Sequence, residues 1–461
     1  MRQVIIRECP PYVMEETIEI PIELPAAIYQ ERVGRLRKRM DEEELDAVIL
    51  YGDREHFANI EYFSRYDCRF EEALFIVRRT GDPVMITGNE GRAYCRNIPY
   101  SVKVLYYGYF SLQGQPLHEP SDLKKVLEEA GIYRGMRVGL AGYKYYQNDN
   151  LFDVPEYIVV TLRDYLEPQN LCSFTKSLTG LPNGLRMTLQ SMEEILVINY
   201  RAAKVANVIR RLLKAVKPGI SELELSQFGK IDFAPQQTYS MVNFGRESVS
   251  MGIRSPSPLV CLKPGGPMSI AFSQRGSLMC RAAFAAENLK MVDKELRPML
   301  NSHIMPYWKA VVAWYETVKV GRRCGDVFAK VNEIIGDSNF GFELNPGHYI
   351  GGDEWVNTAF SPDSEIEIHS GSHIQCDIIA ASSSPVLSAI CEDTVIIAGY
   401  ELRQELKRKF PELYEKILKR QEFMREILGI QLNDDVLPMS ILNSVMFPFM
   451  MNTGQMFAMQ L

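Results

Sequence analysis

The sequence predicts an α/β (α+β) protein of at least two domains, and three observations carry this. At 461 residues the chain exceeds what one hydrophobic core normally spans. Strand-like and helix-like pieces alternate through its first third. A helix–glycine–helix pattern then occurs twice, at "VKPG" (216–219) and "VKVG" (318–321). The spacing of this echo is too wide for a solenoid unit. Either it is chance, or one domain is built from two related α/β halves.

The elements read as follows. "AAIYQERVGRLRKRMDEEEL" has helical periodicity, with Ile28, Val33, Leu36 and Met40 on one side. "DAVILYG" is a buried strand. "EALFIVRRTGDPVMITG" is two strands around a Gly-Asp-Pro turn. A charged helix, "SDLKKVLEEAGI", precedes the short strand "MRVGLAG". "TGLPNGLRMTLQS" (179–191), with Pro182 and Gly184, suits a linker. The long segment "MEEILVINYRAAKVANVIRRLLKAV" repeats Ile195, Ala202, Val205, Ile209 and Leu212 at helical spacing and stops at Pro218-Gly219. Ser221 and Glu224 have capping-box spacing for the next helix. "SEIEIHSGSHIQCDIIAAS" and "EDTVIIAGY" are strand-like, and 401–430 is helical with a break at Pro411. The final stretch, "VLPMSILNSVMFPFMMNTGQMFAMQL", lacks the basic face of a membrane-surface helix. Packing on its own protein or on a subunit partner is expected, and flexible methionines suit it. Domain boundaries are expected at 1–182, 190–400 and 401–461.

Composition narrows the functional classes. Net charge is -7 and the sequence pI about 5.6, so no electrostatic footprint for nucleic acid exists. The nine cysteines are odd in number and form no CxxC pair, which argues against a disulfide framework and for a reducing compartment. The N-terminus does not resemble a signal peptide, and no apolar run reaches the roughly 18 residues of a membrane span. A cytoplasmic protein without a membrane partner is expected.

Metal-dependent hydrolysis needs clustered carboxylates and histidine. Three candidates follow one another in order. His348 stands in the glycine-flanked "NPGHYIGGDEW", Asp377 in "HIQCDIIAA" and Glu392 at the head of "EDTVIIA". Asp377, among Ile374, Cys376, Ile378 and Ile379, cannot be buried without a partner or metal. Alternatively it faces out or pairs with Arg281. His373 lies four residues from Asp377 and can share its strand face.

Four stretches together resemble the creatinase/prolidase/aminopeptidase P family of pita-bread hydrolases. "ERVGRLRKRMDEEELDAVILYGDREHFANIEYFSRY" is similar to the start of the family's N-terminal domain. "MEEILVINYRAAKVAN…VKPGISELEL" is similar to the entry helices of its pita-bread domain. "NPGHYIGGDEW" occupies the place of its "H-G-I-G-x-x-x-H-E" stretch. "GSHIQCDIIAA…CEDTVIIAG" resembles its two closing strands. The resemblance covers roughly residues 26 to 400. It implies a creatinase-type α/β N-terminal domain followed by a pseudo-twofold pita-bread domain, which also accounts for the internal echo.

The family's two-metal site uses two aspartates, a histidine and two glutamates. The resemblance puts the histidine on His348, one glutamate on Asp377 and the other on Glu392. The aspartate places fall near Ser269 and Cys280, and no Asp or Glu occurs between Val260 and Ala286. The family's catalytic histidine would fall near Ser250 to Gly252 and its second motif histidine near Trp355, where neither stands. The implied site therefore holds at most one divalent ion (Mn, Zn or Co) on His348, Asp377 and Glu392, or none. His348 and Glu392 are the catalytic candidates. Arg281 and His373 are the ligand-binding candidates, Arg281 either favouring an anionic ligand or forming an ion pair with Asp377 or Glu392. The implied function is an Xaa-Pro peptidase or creatinase-like hydrolase of small peptides or amides with a degenerate site, expected as a homodimer. The alternative is a non-catalytic homologue binding a small ligand or partner in the former pocket. A third reading is a structural dimer joined through the Met-rich tail.

Overall fold

The computed structural model describes residues 2–16, 23–118, 122–229, 235–342 and 344–460. The chain forms two compact units, Glu23–Met187 and Met1–Ile22 with Thr188–Leu461. The division falls inside the polar stretch 179–191.

The smaller unit is built on one six-stranded sheet. Its central strand, Ala47–Gly52, is buried along its whole length. It pairs antiparallel with Ala73–Arg78 and parallel with Val138–Ala141. Alternation sends Val48 and Leu50 to one face, where they meet Val33, Leu36 and Met40 of the helix Ala26–Glu42. Ile49 and Tyr51 face the other way, toward Val126, Ile158 and Leu162. Both faces are covered, which is why the strand reads as an unbroken apolar run.

The larger unit carries the candidate site. Its first half contains helix α1 (Met192–Ala215), helix α2 (Glu222–Ser226) and strands β1 (Met241–Phe244), β2 (Pro267–Gln274) and β3 (Ser277–Phe284). Its second half repeats the order with helices α3 (Met305–Thr317) and α4 (Cys324–Ile335) and strands β4 (His348–Tyr349), β5 (Ser372–Cys376) and β6 (Val386–Ile397). The strands lie in the order β4-β5-β6-β3-β2-β1, so the halves meet where β3 pairs antiparallel with β6. The echo at 216–219 and 318–321 is thus structural. In each copy the helix ends at an extended valine, Val216 or Val318, and a glycine with positive φ follows before the next helix, Gly219 at 81° and Gly321 at 74°. The capping box expected at Ser221 and Glu224 is formed.

Three expectations differ. The strand Val4–Glu8 pairs with Gln455–Met459, so the N-terminal residues belong to the larger unit and not to a domain 1–182. Residues 401–461 are not a separate extension. Helix α5 (Pro411–Glu422) begins just after the expected break, and Val436–Pro438 pairs with β6. The tail-as-interface reading is corrected for the same reason. Met446, Phe447, Phe449, Met450, Met456 and Phe457 are all buried within the chain itself. Hydrophobic side chains that already fill a core are not available to a second copy.

Candidate active site

His348 is positioned by a tight approach to its strand. Gly347 precedes it at φ 110°, and a Cβ there would lie 2.7 Å from the Gln375 carbonyl oxygen. Only glycine fits such a place. The turn is pinned by Trp314, whose Nε1–H donates to the Pro346 carbonyl at 2.8 Å, and by Thr358, whose hydroxyl donates to the Gly347 carbonyl at 2.7 Å. Trp355 stacks on the imidazole, 4.3 Å between ring centroids and 17° between planes.

Strand register gathers the partners. His348 lies opposite Gln375, Gln375 opposite Thr394, and Cys280 opposite Glu392. Residues two apart share a face, so Glu392 and Thr394 point to the side of the sheet that carries His348, Gln375 and Cys280. Asp377 lies just past the end of β5. Three carboxylates converge on His348 Nε2, with Glu354 at 3.2 Å, Asp377 at 3.8 Å and Glu392 at 3.9 Å. His348 Nδ1 lies 3.2 Å from the Tyr349 carbonyl. Donation there leaves Nε2 as the atom facing the acids. Glu392 is oriented in turn. Gln375 Nε2 donates to it at 3.1 Å and also to the Leu278 carbonyl, while the Thr394 hydroxyl donates to Gln375 Oε1 at 2.5 Å.

The electrostatics follow from burial. His348, Asp377 and Glu392 are all buried. Burial alone would push the imidazole down, but Glu354, Glu392 and Asp377 outweigh it and hold it well above its ordinary value. Burial raises both Asp377 and Glu392, and their mutual repulsion raises Glu392 further. His348 Nε2, Asp377 Oδ1 and His373 Nε2 are buried without an aligned hydrogen-bond partner. Orphaned polar atoms of this kind are costly unless something else meets them.

The donor set fits one cation. Among the described residues, His348, Glu354 and Glu392 each offer a ligand atom, all within 4.8 Å of one another. Beside Glu392 lies a small apolar cluster of Ala271, Leu278 and Cys280, with Met241 and Ile390 packed on it. Burial and the nearby Glu392 and Asp377 push the Cys280 thiol well up, so it stays a neutral thiol.

A family profile described as the Creatinase/Prolidase N-terminal domain matches residues 32–147. Residues 32–147 thus carry a creatinase-type domain, and the chain has the pita-bread fold of solved prolidases. Its fold is similar to an Xaa-Pro dipeptidase from Bacillus anthracis, at 15% identity and TM-score 0.61 over 81% of this chain and 96% of that one. It is similar to a prolidase from Pyrococcus furiosus, at 16% identity and TM-score 0.58 over 78% and 96%. It is also similar to an X-Pro aminopeptidase from Thermotoga maritima, at 14% identity and TM-score 0.61 over 79% and 94%. Among curated proteins, no sequence matches the chain.

Within this pita-bread domain the sequence-derived candidates separate. His348, Asp377 and Glu392 meet. Arg281 does not join them, which corrects its assignment to ligand binding. It is 2% exposed, and each of its five N–H groups has an acceptor. Nη2 donates to Asp393 at 2.8 Å and to the Leu442 carbonyl, Nη1 to the Cys280 and Glu392 carbonyls, and Nε to the Val445 carbonyl. The reason is strand alternation, since Cys280 and Glu392 face the site while Arg281 and Asp393 face away. His373 lies near the Gly276 turn, where burial pushes it down to about 3. It is a neutral imidazole. Sequence reasoning missed Glu354. Its signal was present in the acidic pair Asp353-Glu354 just behind the glycines, but the loop that folds it back onto His348 has no periodicity to read.

Proposed function

We propose that this protein is a hydrolase of small peptides or amides that works with a single divalent ion on His348, Glu354 and Glu392. One observation carries the reading: a histidine nitrogen and two carboxylates within reach of one ion, with unmet buried polar atoms around them. An ion there would supply Lewis-acid polarisation of a scissile carbonyl. The chain's own residues do the rest. Gln375 holds Glu392 in its rotamer, and Trp355 fixes the imidazole plane. Asp377, raised by burial, is the group able to hold a proton near the reacting bond and release it. Xaa-Pro peptides are the first substrates to try, because the solved proteins of this fold bear that name.

The test is metal content of the purified chain after loading with manganese, zinc or cobalt, followed by an Xaa-Pro peptide screen. One equivalent of metal, with turnover lost in Asp377→Asn at unchanged metal content, is expected. Two equivalents, or no metal with undiminished turnover, overturns the reading. A second reading is a non-catalytic homologue that binds a ligand in the former pocket. The apolar cluster beside Glu392 favours it, and one bound ion without turnover of any peptide selects it.

A further inference from the structure

We propose a second binding site in the larger unit, for a small polyanion bearing several phosphate or carboxylate groups. It is a cavity of about 610 Å³, within the range of small-molecule sites. Residues 12–16 and helices α1 and α5 wall it. Among the described residues, Arg210, Arg211, Lys214, Lys416, Lys419 and Arg420 line it with two carboxylates, Glu15 and Glu16, an excess of four positive charges. The chain as a whole is at -7, so composition does not lead one to expect this concentration of cations.

The cavity has a rigid floor and a charged rim. At the floor, Glu16 bridges two buried arginines, 2.7 Å from Arg420 and 3.3 Å from Arg210. Arg210 Nε also donates to the Val13 carbonyl, and Arg420 Nη1 to Asn199 and the Pro438 carbonyl. These bonds fix both guanidinium planes before any ligand arrives. At the rim, Arg211 and Lys214 come from the C-terminal part of α1 and Lys419 from the last turn of α5, all exposed. Lys214 uses one donor on the Met14 carbonyl, and an ammonium has three. Like charges crowded on two facing helices destabilise the empty protein, and a concave wall focuses their field on an incoming anion. A multiply charged anion gains charge-assisted hydrogen bonds from both helices at once. A single carboxylate gains from one.

The site is independent of the proposed metal centre, and its test does not use activity. The full chain is titrated calorimetrically with tripolyphosphate, with ATP and with acetate, each without divalent metal, at low and at physiological salt. Saturable one-to-one binding of tripolyphosphate or ATP is expected, with at least a tenfold loss in Lys214→Gln/Lys419→Gln and none in the remote Lys407→Gln. Stronger binding of ATP than of tripolyphosphate assigns a nucleotide, and the reverse assigns a free polyphosphate. No saturable binding, or equal binding by the double variant with unchanged thermal stability, overturns the site. Acetate binding as tightly as the polyanions does so too.

Discussion

Replacing Asp393 by asparagine tests whether Arg281 holds the fold or serves a ligand. Asp393 Oδ1 accepts from Arg281 at 2.8 Å, and Oδ2 accepts from the Ser444 backbone N–H, also at 2.8 Å. Asparagine keeps one acceptor and turns the other into a donor facing a donor. It also leaves the buried guanidinium without its counter-charge. Breaking a buried pair costs roughly 3–5 kcal/mol, and a stranded N–H roughly 1–3 kcal/mol. A combined loss of about 4–8 kcal/mol is a large share of the roughly 5–15 kcal/mol that holds a domain together. With a urea slope of about 2–3 kcal/mol per M, the midpoint should fall by about 1.3–4 M. Trp308, Trp314 and Trp355, the only tryptophans, all lie in the larger unit, so their fluorescence reports that unit alone. A midpoint shift of less than about 0.3 M would mean that the pair contributes little, and Arg281 would return as a candidate for ligand contact.

Other outcomes follow from the same geometry. Glu354→Gln should weaken divalent-metal binding by at least the roughly 10–100-fold that loss of an outer-shell partner costs; equal affinity in a manganese titration removes Glu354 from the site. Gly347→Ala should destabilise the larger unit by at least about 1–2 kcal/mol and weaken metal binding with it, because the new methyl collides with Gln375. Phe457→Ala should cost about 3–5 kcal/mol in urea unfolding while the mass in solution stays that of the parent; a change of mass without loss of stability would restore the tail as an interface. Glu16 gives a pH dependence. Burial alone would raise its carboxyl, but Arg420 and Arg210 outweigh this and hold it below the ordinary glutamate value. A depressed folded value means stability that is complete above the unfolded pKa and lost as pH falls through the folded one. Glu16→Gln should therefore be less stable than the parent at pH 7, with the gap closing below about pH 4; a constant gap between pH 7 and 3 refutes the ion triad.

Much of the architecture was legible because it rests on local periodicity. The strand Ala47–Gly52, the helix Met192–Ala215 with its end just before Pro218-Gly219, and the capping box of Ser221 each leave a pattern within a few residues. Asp377 announced itself as an acid in apolar company, and burial beside His348 is where it lies. Arg281 was misassigned because distance along the chain does not say which face of a strand a residue takes once its neighbours are set. The Met-rich tail was ambiguous because its composition suits any apolar surface. What closes it is the pairing of Val4–Glu8 with Gln455–Met459, at opposite ends of the chain.

Amino-acid order by itself determined that this chain alternates helices and strands, repeats a helix–glycine–helix unit, and lacks acids between Val260 and Ala286. Those are properties of neighbours, or of absence, and no folding is needed to know them. Only the tertiary structure decided that Glu354 joins His348 and Glu392, that Arg281 turns away to Asp393, and that six cations from two distant helices share one cavity. Such groupings depend on register and loop closure, which bring together residues whose separation along the chain carries no trace of their contact.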